Sequence, residues 1–235
     1  MNDESPGTIK RDVAQVVLPI AEHFQGKTVT PEAVLWPNSN DLLSRFKALI
    51  SPLDWRQYSK RRPLKLLDVG CGPAFLLDYL ASNSLLEKVS YTGIDLVPEI
   101  LTSAKTRWPD YDFEIRDIRS NPFPEHSFDY AVFCGVFTAK FGLDYAGMLS
   151  ILKDTISSAW NSVDLGLGYN VMSKHVDWER DDLFHLPCDD AITLAIEQLN
   201  TRNVRILHDY GLYEYSCLLS KNPILSSQEI PSSWK

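Results

Sequence analysis

The chain has 235 residues, 44% of them hydrophobic and 23% charged, with a formal net charge of -8. That length buries a full core in one domain with an extension to spare, and the composition is that of an ordinary globular protein without repeats or low-complexity tracts. Bases scattered among acids offer no cationic face to a phosphate backbone, which argues against nucleic acid. The four dispersed cysteines (Cys71, Cys134, Cys188, Cys217), with no C-x-x-C pair, signal peptide or membrane-length apolar run, predict reduced thiols in the cytoplasm and no membrane partner.

Residues 1–63 read as a helical cap on the same domain. "RDVAQVVLPIAEHF" has helical spacing, and "TVTPEAVLWPNSNDLLSRFKALI" breaks at Pro31 and Pro37 before resuming as a helix. From Pro63 to residue 220 short apolar runs alternate with amphipathic segments, the pattern of a mostly parallel sheet covered by helices. "LKLLDV" (64–69) is the first strand, followed by a helix opening at Pro73 and running through Leu80; "VSYTGID" (89–95) is the second, followed by a helix from Pro98. "DFEIRD" (112–117), "FDYAVFCG" (128–135) and "LGLGYNVM" (165–172) supply three more strands, with the helix "DYAGMLSILKDTISSAW" between the last two. "NVRILHDYGLYEYSCLLSK" then holds two strands joined by the short link Asp209 to Leu212, which returns antiparallel. The predicted fold class is α/β: a Rossmann-like, seven-stranded, mostly parallel sheet closed by an antiparallel C-terminal hairpin, with residues 221–235 as a loosely ordered tail.

In an open α/β sheet the ligand sits outside the carboxyl ends of the strands, at the switch in winding, where the first strand delivers Gly70, Cys71 and Gly72. Glycines there let a ligand touch backbone, although a tight turn alone would also explain them. A dinucleotide fingerprint would place glycine three residues after Gly72, where Phe75 stands, and Pro73 removes an N–H from the turn that would hold a pyrophosphate. Asp68 would repel a diphosphate and attract the ammonium and sulfonium end of S-adenosylmethionine. Asp95 closes the second strand 23 residues after Gly72, with Leu96 behind it, where a carboxylate accepts from ribose hydroxyls. Asp117 closes the third strand 22 residues further on, in reach of an adenine amino group, with Ile118 as apolar cover. Each acid alone has the bland reading of a helix-capping loop Asp; three at successive strand ends are harder to explain that way.

"LLDVGCGPA", "YTGID", "RDI" and "SFDYAVFCGVF" resemble motifs one to four of the class I S-adenosylmethionine-dependent methyltransferases, and the resemblance spans residues 63–220. It implies that Asp68 and Gly70 line the methionine part of that cofactor and Asp95 the ribose, with Cys71, Gly72 and Leu96 also in the cofactor site. Asp117 and Ile118 would meet the adenine, and Cys134 and Gly135 the methionine amine through backbone carbonyls. Ala74 departs from the pattern, where the family commonly has a third glycine, and its preference for a helix start makes the cost small. "WPNSNDLLSRF", "GYNVMS" and "HDYGLYEYS" are further similar to a branch of small bacterial methyltransferases. Arg45 in the first of these either pairs with the methionine carboxylate or is a solvated helix residue, and Trp36 either roofs the site or plugs the core.

Transfer to an amine needs alignment alone, whereas a hydroxyl needs a base near neutral pKa. The candidates are His175, in the loop "SKHVDWERDDLFHLPC" (173–188), Asn170 and Tyr210, with His185, His208 and Asp209 nearby in the predicted topology; His208 and Tyr210 read equally as core residues. "CGVF" is not the Asn/Asp-Pro-Pro-aromatic sequence of exocyclic-amine DNA methyltransferases, and Cys188, after the fifth strand, does not suit a cytosine-C5 nucleophile. No His/Asp/Glu cluster has metal spacing; the acids at 181–182 and 189–190 read as solvated surface and a helix start. The expected activity is methyl transfer to a small molecule, on an oxygen of a sugar or secondary metabolite. The alternatives are a nicotinamide-dependent oxidoreductase and a non-catalytic cofactor-binding module.

Overall fold

The structure is a computed structural model that describes Val17 and residues 38–223. The predicted helix around Val17, the breaks at Pro31 and Pro37, Trp36 and most of the predicted tail lie outside the described residues. Among the described residues, eight strands form one sheet: β1 (Leu64–Val69), β2 (Val89–Asp95), β3 (Asp112–Ile115), β4 (Phe128–Phe133), β5 (Val163–Ser173), β6 (His185–Leu186), β7 (Val204–Leu207) and β8 (Glu214–Ser220). Their order is β3-β2-β1-β4-β5-β8-β7, with β6 paired to β5. β1 to β5 are parallel, and β8 lies antiparallel between β5 and β7. The winding reverses between β1 and β4, so the crevice opens beyond Val69 and Phe133.

Five helices whose bounds fall among the described residues cover the sheet: α1 (Ser39–Leu49), α2 (Phe75–Ser82), α3 (Pro98–Arg107), α4 (Tyr145–Ser162) and α5 (Cys188–Leu199). Local chemistry sets their starts. Asn38 caps α1 by accepting from the Asn40 N–H at 2.9 Å, Pro98 opens α3, and Asp144 caps α4 by accepting from the Gly147 N–H at 2.8 Å. The pleat divides the apolar residues into two cores. Leu64 and Leu66 face Phe46, Leu77 and Leu101 of α1 to α3, while Leu67 and Val69 join Leu152, Ile156 and Leu194 of α4 and α5. Asp68 therefore shares a face with Leu66 and reaches the first core.

Several boundaries differ from the sequence expectation. β6 makes an eighth strand, two residues long, too short to leave a periodic signal. The link between β7 and β8 is 208–213, longer than expected. α2 begins at Phe75 because Ala74 is its cap, in the left-handed region at φ 63° and fully buried. Helix propensity is therefore the wrong guide at this position: alanine bears a strain of about 1–2 kcal/mol that glycine would not.

Candidate active site

The carboxyl ends of β1 to β4 open into a cavity of about 490 Å³. Asp68, Gly70, Cys71, Gly72, Asp95, Leu96, Asp117, Ile118, Cys134 and Gly135 all line it. Val17, Val136, Thr138, Ala139 and Phe141, Met148 and Ile151 of α4, and Arg180, Asp182 and Leu183 complete the parts of the wall used below.

The glycine loop is held open by β2. The N–H groups of Gly70 and Cys71 both donate to the Ile94 carbonyl, at 2.8 and 3.0 Å, and the Gly72 N–H donates to Asp95 Oδ2 at 2.9 Å. Asp95 Oδ1 accepts from the N–H groups of Leu96 and Val97 at 2.7 and 3.0 Å. Gly70 and Gly72 have φ of 68° and 55°, a region that side chains resist. A Cβ on Gly70 would stand 2.6 Å from Val136 Cγ2, whereas one on Gly72 would meet nothing within 4 Å. The loop thus presents bare backbone to the cavity, as the S-adenosylmethionine reading requires.

Asp68 is 2% exposed and accepts from Tyr91 Oη at 2.7 Å. Burial raises its pKa to about 7; the Tyr91 hydrogen bond opposes the rise and the Asp95 charge adds to it. Burial also raises Asp95, against the three N–H groups that favour its ionised form. Asp68, which is buried, and Asp95, which is half-buried, form no ion pair among the described residues, and such carboxyls suit a cationic ligand. Burial holds the Cys134 thiol far above its usual range, so it is protonated and no nucleophile.

Asp117 lines the cavity, but Arg119 clamps it: Nε donates to Oδ1 at 3.0 Å, Nη2 to Oδ2 at 2.9 Å, and the Arg119 N–H to Oδ1 at 3.0 Å. Both side chains are buried. An adenine amino group would share an already engaged carboxylate, and Arg119 is a site residue that sequence reasoning missed. The signal was present as "RDIR", an acid between two arginines.

Arg45, His175, Asn170 and Tyr210 do not line the cavity. Arg45 Nε is 2.8 Å from Oε1 of Glu214, an acid on β8 that draws it into an ion pair. Asn170 is fully buried and accepts from the Gly135 N–H at 2.7 Å. Tyr210 Oη lies 3.2 Å from Glu214 Oε1 and 3.1 Å from Ser216 Oγ, and burial pushes its pKa further from neutrality. His175 lies on the 174–184 loop, its N–H donating to Ser173 Oγ at 3.0 Å. His185 is buried, with Nδ1 2.7 Å from the Ser173 carbonyl and Nε2 accepting from the Arg180 N–H at 3.5 Å. His208 packs its ring against Tyr215. Glu214 was also missed; its only sequence signal is a charge at the start of an apolar strand.

The family described as "Methyltransferase domain" matches residues 66–154. The chain is 31% identical over 168 residues to the Mycobacterium tuberculosis protein Rv1506c, named as a candidate methyltransferase, covering 68% of this chain and 94% of that one. Among solved structures, the S-adenosylmethionine-bound magnesium protoporphyrin IX methyltransferase of Synechocystis PCC 6803 superposes with a TM-score of 0.56 at 13% identity, over 94% of this chain and 100% of that one. Human N-acetylserotonin methyltransferase in complex with the same cofactor gives a TM-score of 0.60 at 14% identity, over 92% and 61% of the two chains.

Proposed function

Because the chain belongs to the class I S-adenosylmethionine-dependent methyltransferases, we propose that it uses the cavity at the ends of β1 to β4 to methylate a small-molecule acceptor. The observation that carries this reading is the convergence on one cavity of the acids Asp68, Asp95 and Asp117 with the bare loop from Gly70 to Gly72. When bound, the cofactor supplies a methyl group on a positively charged sulfur. Asp68 and the backbone at Cys134 and Gly135 hold the cationic methionine end; Asp95 and Leu96 hold the ribose; Asp117 and Ile118, with Arg119 beside them, meet the adenine. The chain's contribution is to align donor and acceptor and exclude water, for which the apolar wall of Val136, Ala139, Phe141, Met148, Ile151 and Leu183 is suited. A nicotinamide cofactor is disfavoured by Phe75 at the third glycine position and by carboxyls that would repel a diphosphate.

For the acceptor, we propose a hydroxyl of a sugar or secondary metabolite, with His175 as its base. The support is that His175 shares its loop with Arg180, Asp182 and Leu183 of the cavity wall. Asn170 and Tyr210 act through the network at Glu214 rather than as bases. Purified protein incubated with methyl-labelled S-adenosylmethionine and fractionated cell extract should transfer label to a small molecule. Retention of S-adenosylhomocysteine without label transfer would instead favour a non-catalytic binding module. His175→Ala should lower kcat about 100-fold or more with S-adenosylhomocysteine affinity unchanged. An unchanged rate would point to an acceptor, such as a neutral amine, that needs alignment alone.

A further inference from the structure

Glu214 is 1% exposed, yet its Oε1 gathers three donors from three separate elements: Arg45 Nε of α1 at 2.8 Å, Asn170 Nδ2 of β5 at 3.0 Å and Tyr210 Oη of the 208–213 link at 3.2 Å. Asn170, itself without exposed surface, spends its other amide atom on the Gly135 N–H, which Oδ1 accepts at 2.7 Å. A carboxylate only accepts and a backbone N–H only donates, so the Asn170 amide has one orientation that satisfies both neighbours. Without the carboxylate that constraint is gone, and a half-turn of the amide sets donor against donor at Gly135.

Gly135 is where this matters. It lies just beyond β4, lines the cavity with Cys134, and has φ of 78°. In a trans peptide the carbonyl points opposite to the N–H, so holding the Gly135 N–H on Asn170 directs the Cys134 carbonyl away from the buried network. We propose that Glu214 is a positioning residue. Through Asn170 it fixes the Cys134–Gly135 peptide so that the carbonyl receives the ammonium of the cofactor's amino-acid arm. This rests on the function proposed above, and it assigns to β8, outside the family's cofactor motifs, a role in holding that arm.

The test compares two ligands on the full chain by calorimetry: S-adenosylhomocysteine, which has the amino-acid arm, and 5′-methylthioadenosine, which lacks it. Glu214→Gln and Asn170→Ala should each weaken S-adenosylhomocysteine about tenfold or more while leaving methylthioadenosine affinity unchanged, and the double variant should lose little beyond either single one. Equal weakening of both ligands would mean a merely structural role, and no change in either would remove the role altogether; both results overturn the proposal. If Glu214→Gln lacks a cooperative melt, Asn170→Ala decides alone, since it cuts the link to Gly135 and leaves Arg45 and Tyr210 on Glu214. Failure of the wild-type protein to retain either ligand is a separate result, which would overturn the cofactor reading itself.

Discussion

Asp68 concentrates the electrostatics of the site in one carboxyl. Its pKa, raised by burial to about 7, means that the free protein is part-protonated near neutrality, whereas a cationic ligand wants the ionised form. S-adenosylhomocysteine should therefore bind more tightly as pH rises through about 7, with affinity falling roughly tenfold per unit below it; a pH-independent dissociation constant from pH 5.5 to 8 would reject the contact. Asp68→Asn should abolish that dependence and weaken binding. Beside the ribose contact proposed for it, Asp95 accepts from the backbone of Gly72, Leu96 and Val97. Asp95→Ala should weaken S-adenosylhomocysteine by roughly ten- to a hundredfold, the equivalent of about 1.5–3 kcal/mol, with a lower melting temperature from the freed N–H groups; calorimetry and a thermal melt read the two effects separately. The acids were legible because each closes an apolar run. Glu214 was not, because Arg45 and Asn170, far from it in sequence, meet it only when the chain folds.

The turn between β1 and α2 is the element on which the cofactor reading depends. Its shape comes from Ile94 and Asp95 of the neighbouring strand, and Val136 occupies the space that a side chain at Gly70 would need. Gly70→Ala adds a methyl 2.6 Å from Val136 Cγ2 at a φ of 68°, so it should lower stability by about 1–3 kcal/mol, read by chemical denaturation. Val136→Ala on that background should restore the part due to the clash and leave the part due to backbone strain. The strands of this region were predictable from apolar runs, but the start of α2 was not. Pro73 signals a helix start in sequence, whereas the left-handed Ala74 postpones the helix to Phe75. Likewise β6 exists only because the 174–184 loop brings His185 and Leu186 beside Met172 and Ser173.

At the scale of the molecule, the buried Asp68 carboxyl beside the half-buried Asp95 at the sheet edge should give an unusual pH profile. For Asp68 the folded pKa, about 7, lies above the unfolded value of about 3.9, so its contribution to stability is complete below about 4 and is lost as pH rises through about 7. Asp95 is shifted in the same direction. The ligand-free protein should thus lose up to about 4 kcal/mol from the Asp68 carboxyl between pH 4 and 8, and Asp68→Asn should recover most of it at pH 8, as read by denaturant titration. A cationic ligand offsets the same cost. The site is therefore built at the expense of the empty protein's stability.

The succession of apolar runs, their spacing and the residues that close them were enough to determine a doubly wound sheet with an antiparallel terminus and the acids at its edge, because strand pattern and turn chemistry are local. Tertiary structure alone decided the contacts between elements: the Gly72 N–H on Asp95, the Gly135 N–H on Asn170, and Arg45 and Asn170 on Glu214. The reason is that burial makes an unpartnered polar group costly, so partners are chosen by what the fold brings within hydrogen-bond reach rather than by nearness along the chain.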